Sequence, residues 1–238
     1  MPRNGHRKHP YTEQETCPIC NTRKPKRYCS ALNRPREEAA ICTVCCAEGR
    51  EDKLDCPLTC EYLHAAHRHE KSTVEFDIAK APNFDVKITD AFLEQFQIPL
   101  ALLATALADA AIATGKATDY DAREALEATI RKYRGTSSEL ISDSPSGNPC
   151  AVALSEGLEK GVHVFRQLEL EAAGKFMTED QDILKMIVFL QRLEFANNNG
   201  RRLSRAFLDF IHGFRMPMPL ELPGGDVSAD AGEPKVML

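Results

Sequence analysis

The cysteines are the residues with the clearest capacity for chemistry. Eight of the nine lie between residues 17 and 60, and only Cys150 lies outside that stretch. Such a density indicates either disulfides in an oxidising compartment or thiolates around metal ions in a reducing one. Residues 1–10 are polar and basic, without the apolar stretch of a secretory signal. We therefore expect a cytoplasmic protein whose cysteines bind metal.

Two Cys-x-x-Cys pairs predict a first metal site. Cys17 and Cys20 form one pair, and Cys42 and Cys45 form the other. Two thiolates separated by two residues reach one ion when the chain between them turns tightly, and zinc takes four such ligands in tetrahedral geometry. The two pairs together therefore complete one zinc site with four cysteine ligands.

The remaining clustered cysteines predict a second zinc site. Cys56 and Cys60 are separated by three residues, which is also a spacing that zinc modules use. Cys46 directly follows Cys45, and in an extended chain consecutive side chains point to opposite sides. Cys46 should therefore face away from the first ion. The second set is then Cys29, Cys46, Cys56 and Cys60.

Two alternatives to this ligand assignment stay open. One is a single structural zinc beside several buried or idle cysteines. The other is ligation by a histidine, because the spacing from Cys60 to His64 also suits a metal and His67 follows closely; otherwise these histidines form a solvated helix face. A closed thiolate set leaves no coordination position for water, whereas a catalytic zinc keeps one open. We therefore expect the zinc to be structural.

Composition excludes several classes of protein. The 43% hydrophobic and 27% charged fractions are those of an ordinary globular protein, and the net charge of −5 gives no overall positive field toward DNA or anionic lipid. Apolar runs are too short to cross a bilayer, so no membrane role is expected. A nucleic-acid role would need a local patch, for which the candidates are Arg23, Lys24, Lys26 and Arg27. The chain lacks tryptophan, so base stacking is not evident and a protein partner is favoured over nucleic acid.

Charge and periodicity divide the chain into four parts. We expect a Cys-rich zinc-binding module with a basic lobe over residues 1–70, an extended connector over 71–89, a helical domain over 90–215 and a disordered tail over 216–238. Alternating apolar residues place two short extended segments in the connector, over 74–78 and 84–88. The fold class is thus mainly α, a small zinc module followed by an antiparallel helical bundle.

Local signals predict where the helices begin and end. Thr118 and Thr178 each open a capping-box pattern, and Asn148 precedes a proline at the first helical position. Gly115 should end one helix, and the run from 197 to 200 should break or bend another. The last helix should bury a face formed by Leu203, Phe207, Phe210, Ile211 and Phe214.

An arginine and asparagine cluster is a candidate anion site. If a helix begins near Arg201, then Arg201, Arg202 and Arg205 lie at its positive dipole end, which is unfavourable. A phosphate or carboxylate, bound together with Asn198 and Asn199, would offset that repulsion. The alternatives are internal pairing with Glu194 or Asp209, or a helix that continues through the asparagine run.

The cysteine motifs resemble those of a known family. The motifs CPxC from Cys17, ICxxCC from Ile41 and CPxxCxYL from Cys56 resemble the N-terminal module of a family of uncharacterised bacterial proteins with a helical C-terminal part. The stretches 189–195 and 198–201 resemble that family too. The resemblance implies a zinc module and a helical domain, and no established activity. A weaker similarity is to MYND and HIT zinc fingers, which bind two zincs through interleaved ligand pairs and dock peptides.

Enzyme activity finds no positive support in the sequence. It has no Walker loop, no dinucleotide-binding glycine fingerprint and no Gly-x-Ser-x-Gly elbow. The pair Asp209-x-x-His212 has no matching partner, and the Glu-x-x-His repeats of a di-iron bundle are missing. Two functional classes follow. One is a non-catalytic zinc-binding adaptor that docks a macromolecular partner, and the other is a small-anion-binding or phosphate-handling enzyme that uses the Arg/Asn cluster.

Overall fold

The structure, a computed structural model, describes residues 15–36, 38–70, 81–135 and 147–214. Within these ranges it contains eight α-helices and one two-stranded sheet, which confirms the mainly α fold class. The extended segment expected over 74–78 and the tail expected over 216–238 lie outside the described residues. The domain boundaries and the antiparallel order of the helices stay predictions.

The Cys-rich part, residues 15–70, combines one small sheet with two helices. Strand β1 (Arg27–Tyr28) pairs antiparallel with β2 (Ala40–Ile41), and a 3₁₀ turn lies between them. Helix α1 spans Thr43–Gly49 and helix α2 spans Glu61–His69. Ile41, Leu54 and Leu63 are buried among the cysteines and form the small core. Because so few apolar side chains are available, this part depends on its cysteines for much of its interior.

The helical part packs around one larger core. Its elements are α3 (Asp90–Gln95), α4 (Gln97–Thr114), α5 (Asp119–Tyr133), α6 (Pro149–Ala173), α7 (Asp180–Asn197) and α8 (Ala206–His212). Helix α4 packs against α6 and α8, and α5 packs against α6 and α7. The side chains at the centre include Leu103, Leu107, Leu126, Leu154, Leu158 and Ile187.

Most of the predicted helix ends are confirmed. Thr118 and Asp121 form the capping box of α5, Asn148 caps α6, and Gly115 adopts the left-handed conformation after α4. The capping box at Thr178 is wrong. Its hydroxyl donates to Glu169 Oε1 at 2.6 Å, and Glu179 occupies the N-cap position of α7. The Thr178 hydroxyl therefore bonds to Glu169 of α6 instead of capping α7.

The segments around α7 differ from expectation in two places. Helix α7 ends at Asn197 as predicted, but the next helix begins at Ala206 rather than near Arg201. Residues 82–85 form a turn, so the described residues contain no strand over 84–88. Arg192 of α7 holds this turn by donating to three carbonyls, including those of Asn83 at 2.7 Å and Val86 at 2.8 Å.

The buried face of α8 is also shifted. Phe207, Leu208 and Ile211 are buried, whereas Phe210 and Phe214 are exposed. The helix has only two turns, and its second side borders a cleft rather than the core. Phe210 and Phe214 instead pack on each other, with ring centroids 5.0 Å apart.

Helix α4 is exceptionally apolar because it lies at the centre of the fold. Among the described residues, it alone is long and apolar enough to cross a membrane, and 50% of it is buried inside the protein. Its contact with α6 is close because Gly157 and Gly161 face Ala110 and Ala106. A Cβ placed on Gly157 would lie 2.6 Å from Ala110 Cβ, and one on Gly161 would lie 2.9 Å from Ala106 Cβ.

Candidate metal centre and the cleft beside it

The two Cys-x-x-Cys pairs come together as predicted. The sulfur atoms of Cys17, Cys20, Cys42 and Cys45 all lie within 4.8 Å of one another. The first pair lies on a tight turn in which Asn21 N donates to Cys17 O at 2.8 Å, and Asn21 has a positive φ of 51°. The second pair lies in the first turn of α1, where Cys45 N donates to Cys42 Sγ. Four thiols from two local turns therefore form a group that could hold a metal ion.

The chemistry of this group fits a cation better than a disulfide. Cys20 Sγ and Cys42 Sγ are 4.0 Å apart, about twice the length of an S–S bond. Hydrogen bonds from the backbone of Arg23 and Thr22 lower the pKa of Cys20 to about 6. Burial and the neighbouring thiols raise the pKa of Cys45 to about 12. The crowded sulfurs cannot all ionise unless a cation neutralises them.

The second predicted set also gathers in the Cys-rich core. Cys29, Cys46 and Cys56 are buried and Cys60 is half-buried. Burial, opposed by a backbone hydrogen bond from Glu51 and reinforced by the other thiols of the set, raises the pKa of Cys56 to about 11. Among the described residues these sulfurs do not all meet the 4.8 Å spacing of the first set. Their assignment to one ion stays a prediction.

Cys45 and Cys46 diverge for a different reason than expected. Both lie in helix α1 rather than in extended chain, where consecutive side chains are about 100° apart around the axis. Cys46 Sγ accepts a hydrogen bond from Arg27 Nη1 at 3.4 Å. Of the basic residues predicted to contact nucleic acid, Arg27 is thus engaged within the protein, since it also lies over the Tyr62 ring. Lys24 and Lys26 are exposed.

A buried carboxylate joins the Cys-rich part to the helical part. Glu51, fully buried and with a positive φ of 54°, lies in the segment between α1 and α2. Its Oε1 accepts from Arg205 N at 2.6 Å, and its Oε2 accepts from Asn199 Nδ2 at 2.8 Å. Its carbonyl accepts from Leu203 N at 2.8 Å. Burial opposes ionisation, but these bonds and the contact with His67 outweigh it and lower the pKa of Glu51.

The predicted anion cluster forms a loop, residues 198–205, that grips the Cys-rich part. Arg201 Nη2 donates to Glu70 Oε1 at 2.8 Å, and Arg202 Nη2 donates to the Asp52 carbonyl at 2.7 Å. Arg205, 1% exposed, donates to Asp55 Oδ1 at 2.7 Å and to the Lys116 carbonyl at 2.8 Å. Asn198 Nδ2 donates to Glu194 Oε1 at 2.9 Å. The arginines therefore pair internally, but Arg201 and Arg205 use carboxylates other than Glu194 and Asp209, and Arg202 uses a backbone carbonyl.

A cleft of about 740 Å³ lies between α2, this loop and α8. Its lining includes Arg68 of α2, three residues of the predicted anion cluster and Phe210 of α8; the three are Asn198, Asn199 and Arg201. Arg202 does not line it, and Arg205 is buried behind it. The cleft is thus polar and partly basic, and it depends on both parts of the protein for its walls.

Two histidines converge on one aspartate at the cleft. His67 Nδ1 lies 2.7 Å from Asp209 Oδ2, and His64 Nδ1 contacts Asp209 Oδ1. His67 Nε2 lies 3.0 Å from Glu51 Oε2. Burial disfavours a charged His67, but the bonds to Asp209 and Glu51 prevail and raise its pKa to about 9. The ring of His212 lies alongside that of His64, with centroids 6.0 Å apart.

Sequence reasoning did not find this cluster. The sequence contains no second carboxylate-x-x-His pair to match Asp209-x-x-His212, but in the structure His64-x-x-His67 of α2 faces it. The available signal in the sequence was that two predicted helices each carry a pair of polar side chains three residues apart, His64 and His67 on one and Asp209 and His212 on the other. Glu51, His67 and Glu70 also present ligand atoms within 4.8 Å of one another, although Glu70 is held by Arg50 and Arg201.

Comparison with known proteins adds no assignment. A scan against family models, a search of curated proteins and a search of solved structures each return no match for this chain. The resemblance to the bacterial family and to MYND and HIT fingers therefore stays a prediction. Function has to be argued from the cysteine group and the cleft.

Proposed function

We propose that the protein is a zinc-binding protein and that the zinc bound by Cys17, Cys20, Cys42 and Cys45 is structural. The observation that carries this proposal is the mutual approach of the four sulfur atoms within 4.8 Å. Soft thiolate ligands favour zinc over magnesium or calcium. Four of them close the coordination sphere, so the ion stabilises the fold and does not activate water.

A second zinc would be bound by Cys29, Cys46, Cys56 and Cys60. What supports it is that these thiols occupy one buried cluster and influence each other's pKa. Binding would require the four sulfurs to move closer together around the ion, because they do not all lie within 4.8 Å of one another. With this ion in place, every clustered cysteine would have a role.

Metal analysis tests both sites. We expect the reduced full-length protein to contain about two equivalents of zinc, and the variants Cys17→Ser and Cys29→Ser to lose about one equivalent each. Cys150→Ser is the matched control because Cys150 lies on α6, away from both sets, and its zinc content should equal that of the wild type. Full zinc content in Cys17→Ser, or none in the wild type, would overturn the proposal.

The zinc sites have a role beyond their own fold. The segment 50–55 joins α1 to α2, so its shape depends on the cysteines at both ends, and it binds the 198–205 loop through Glu51, Asp52 and Asp55. We infer that the metal module and the helices act together as a non-catalytic adaptor that docks a protein partner at the cleft. Its lining of arginine, histidine and exposed Phe210 suits an acidic segment with an apolar residue.

A specific observation favours a second candidate function. Three of the five residues predicted to bind an anion line the cleft, and a volume of about 740 Å³ accommodates a small molecule. A small anionic ligand, such as a phosphometabolite, is therefore the alternative occupant. Nucleic acid would instead contact the exposed Lys24 and Lys26.

Affinity purification followed by mass spectrometry distinguishes these occupants. For an adaptor we expect a protein that co-purifies with the wild type and is lost from Arg68→Glu, while Lys24→Glu, on the Cys-rich part away from the cleft lining, retains it. Native mass spectrometry of the purified chain detects a small ligand by its added mass. Retention of every partner by Arg68→Glu contradicts docking at the cleft, and a salt-dependent shift with RNA that Lys24→Glu abolishes supports the nucleic-acid version.

A further inference from the structure

We propose that the cleft contains a further metal site, in which His64, His67 and Asp209 bind a divalent transition-metal ion that is accessible to a ligand in the cleft. The site is separate from the cysteines and differs from them in chemistry. Two imidazoles and one carboxylate are donors that suit Zn²⁺, Fe²⁺, Co²⁺ or Mn²⁺.

The two helices bring the three donors to one point. His64 and His67 lie on the same face of α2 at i, i+3 spacing, and Asp209 projects from α8. His67 Nδ1 and Asp209 Oδ2 are 2.7 Å apart, and His64 Nδ1 contacts the other oxygen of the same carboxylate. Neighbouring ligand atoms of an ion with bonds of about 2.1 Å lie about 3 Å apart. Among the described residues the three donors do not all lie within 4.8 Å of one another, so the two imidazoles would have to turn toward each other to enclose an ion.

Glu51 orients His67 for this role. Its carboxylate already accepts hydrogen bonds from Arg205 N and Asn199 Nδ2, so it acts as an acceptor toward His67 Nε2, 3.0 Å away. When a metal ion replaces the second proton of His67, the remaining proton resides on Nε2, toward Glu51, and the lone pair of Nδ1 is free to bind the ion. A buried carboxylate that accepts from the far nitrogen of a ligating histidine is a recurrent arrangement around metals.

A lone pair and a carboxylate oxygen at this distance need a cation between or on them. Either a second proton on His67 or a metal ion meets that need. Separate protons on the two histidines would satisfy each contact singly, whereas one ion would engage both imidazoles and the carboxylate together. The position on the other side of His67, beside Glu70, is less suitable since Arg50 and Arg201 already neutralise Glu70.

The surroundings leave room for a ligand. The three donors line the cleft of about 740 Å³, and so do Arg68, Arg201 and His212. Three protein donors leave coordination positions open, in contrast to the closed cysteine set. A carboxylate or phosphate group would suit these positions, because it could bind the ion and a guanidinium together. His212, next to His64, is available as a fourth donor.

Cobalt titration of the full-length protein tests the site, starting from protein whose zinc content matches the cysteine sites alone, because excess zinc would also fill the cleft site. We expect about one further equivalent of Co²⁺ to bind and to give visible absorption without sulfur-to-cobalt charge transfer, since the donors are nitrogen and oxygen. Asp209→Asn and His64→Ala should each weaken this binding at least about tenfold. His163→Ala is the matched control, because His163 is exposed on α6, and it should bind cobalt like the wild type.

The outcomes separate this site from the cysteine zinc. Zinc content should be unchanged in all three variants, because none alters a cysteine. Absence of any cobalt binding by the folded wild type overturns the inference and assigns the cluster to a protonated His67. Unchanged binding by His64→Ala overturns it as well. If Asp209→Asn does not fold, the titrations of the wild type and of His64→Ala still decide the question.

Discussion

Three nearly inaccessible ionisable side chains lie around the 198–205 loop: Glu51 from the Cys-rich part, Asp119 from α5 and Arg205 of the loop itself. Glu51 and Asp119 are 0% exposed, and Arg205 is 1% exposed. Burying such groups costs several kcal/mol each unless hydrogen bonds satisfy them. Asp119 accepts from Ser204 Oγ at 2.5 Å and from Phe207 N and Leu208 N at 3.1 Å, so it caps the start of α8. The contact between the two parts is therefore polar and specific.

Asp119 should make stability depend on pH. Burial, only partly offset by its hydrogen bonds, raises its pKa from 3.8 to about 6. The folded chain thus binds this proton more tightly than the unfolded chain, so its contribution to stability is present below about pH 4 and is lost as pH rises through about 6. Asp119→Asn does not titrate. We expect the stability advantage of the wild type over this variant to shrink between pH 4 and 7, by up to about 3 kcal/mol.

Chemical denaturation at several pH values measures this difference. Gly157→Ala on α6 is the matched control, because it changes no titratable group, and its difference from the wild type should stay constant over the same range. A constant difference for Asp119→Asn would show that Asp119 titrates alike in the folded and unfolded chains.

Sequence reasoning at this scale succeeds where the partners are close along the chain. Cys17 and Cys20 define their site by local spacing, and so do Cys42 and Cys45. His67 and Asp209 are 142 residues apart, and Glu51 and Arg205 are 154 apart. No local pattern links such residues, because only the packing of α2 on α8 brings them together. The charge of the arginine cluster marks it in the sequence, but its partners are too distant along the chain to be predicted.

Two glycines set the distance between α4 and α6. Gly157 and Gly161 lie one turn apart on α6 and lie opposite Ala110 and Ala106 of α4. With no Cβ on one side and only a methyl on the other, the two helix backbones approach closely. This contact supports the central position of α4 and the core around it.

Gly157→Ala should destabilise the protein in spite of alanine's higher helix propensity. The propensity gain is about 1 kcal/mol, whereas overpacking costs about 1–3 kcal/mol, and the new Cβ would lie 2.6 Å from Ala110 Cβ. We expect a net loss of about 1 kcal/mol, measured by thermal or chemical unfolding. Ala110→Gly, alone and combined with Gly157→Ala, completes a double-mutant cycle. Strictly additive effects would contradict a direct clash between these two positions.

Helix boundaries are more predictable than helix faces. The caps at Thr118 and Asn148 are local, and the sequence alone predicts them. The prediction at Thr178 is wrong because a carboxylate from another helix, Glu169, competes for its hydroxyl. Spacing alone assigns Phe210 to the buried face, but it faces the cleft. Periodicity identifies an apolar stripe and cannot tell whether a core or a cleft lies against it.

A polar contact through the segment 50–55 joins the Cys-rich part to the helical part. The segment 50–55 lies between α1, which carries Cys45 and Cys46, and Cys56, and it binds the backbone of Leu203 and Arg205 through Glu51. The helical part has a larger core of its own, formed by α4, α5, α6 and α7. Loss of the metal should therefore loosen the Cys-rich part and the cleft before it affects the helical core.

Hydrogen exchange with and without a strong zinc chelator measures this order. After chelation we expect faster exchange in α1 and α2 and at the amides of Leu203 and Arg205, while amides in the middle of α4 and α6 stay protected. The same chelator saturated with zinc is the control and should change nothing. Unaltered exchange in α1 and α2 would mean that these helices do not need a metal.

The position of Glu51 also makes the cleft and the cysteines thermodynamically reciprocal. The same carboxylate belongs to the segment that the cysteines shape and accepts hydrogen bonds from Asn199 and Arg205 at the loop. If a bound ion orders this segment and an occupant of the cleft requires the ordered segment, each of them raises the binding affinity of the other. Linkage requires the two increases to be the same factor. An occupant of the cleft would thus raise the affinity of the cysteines for zinc, and removal of the zinc would weaken the binding of that occupant by the same factor.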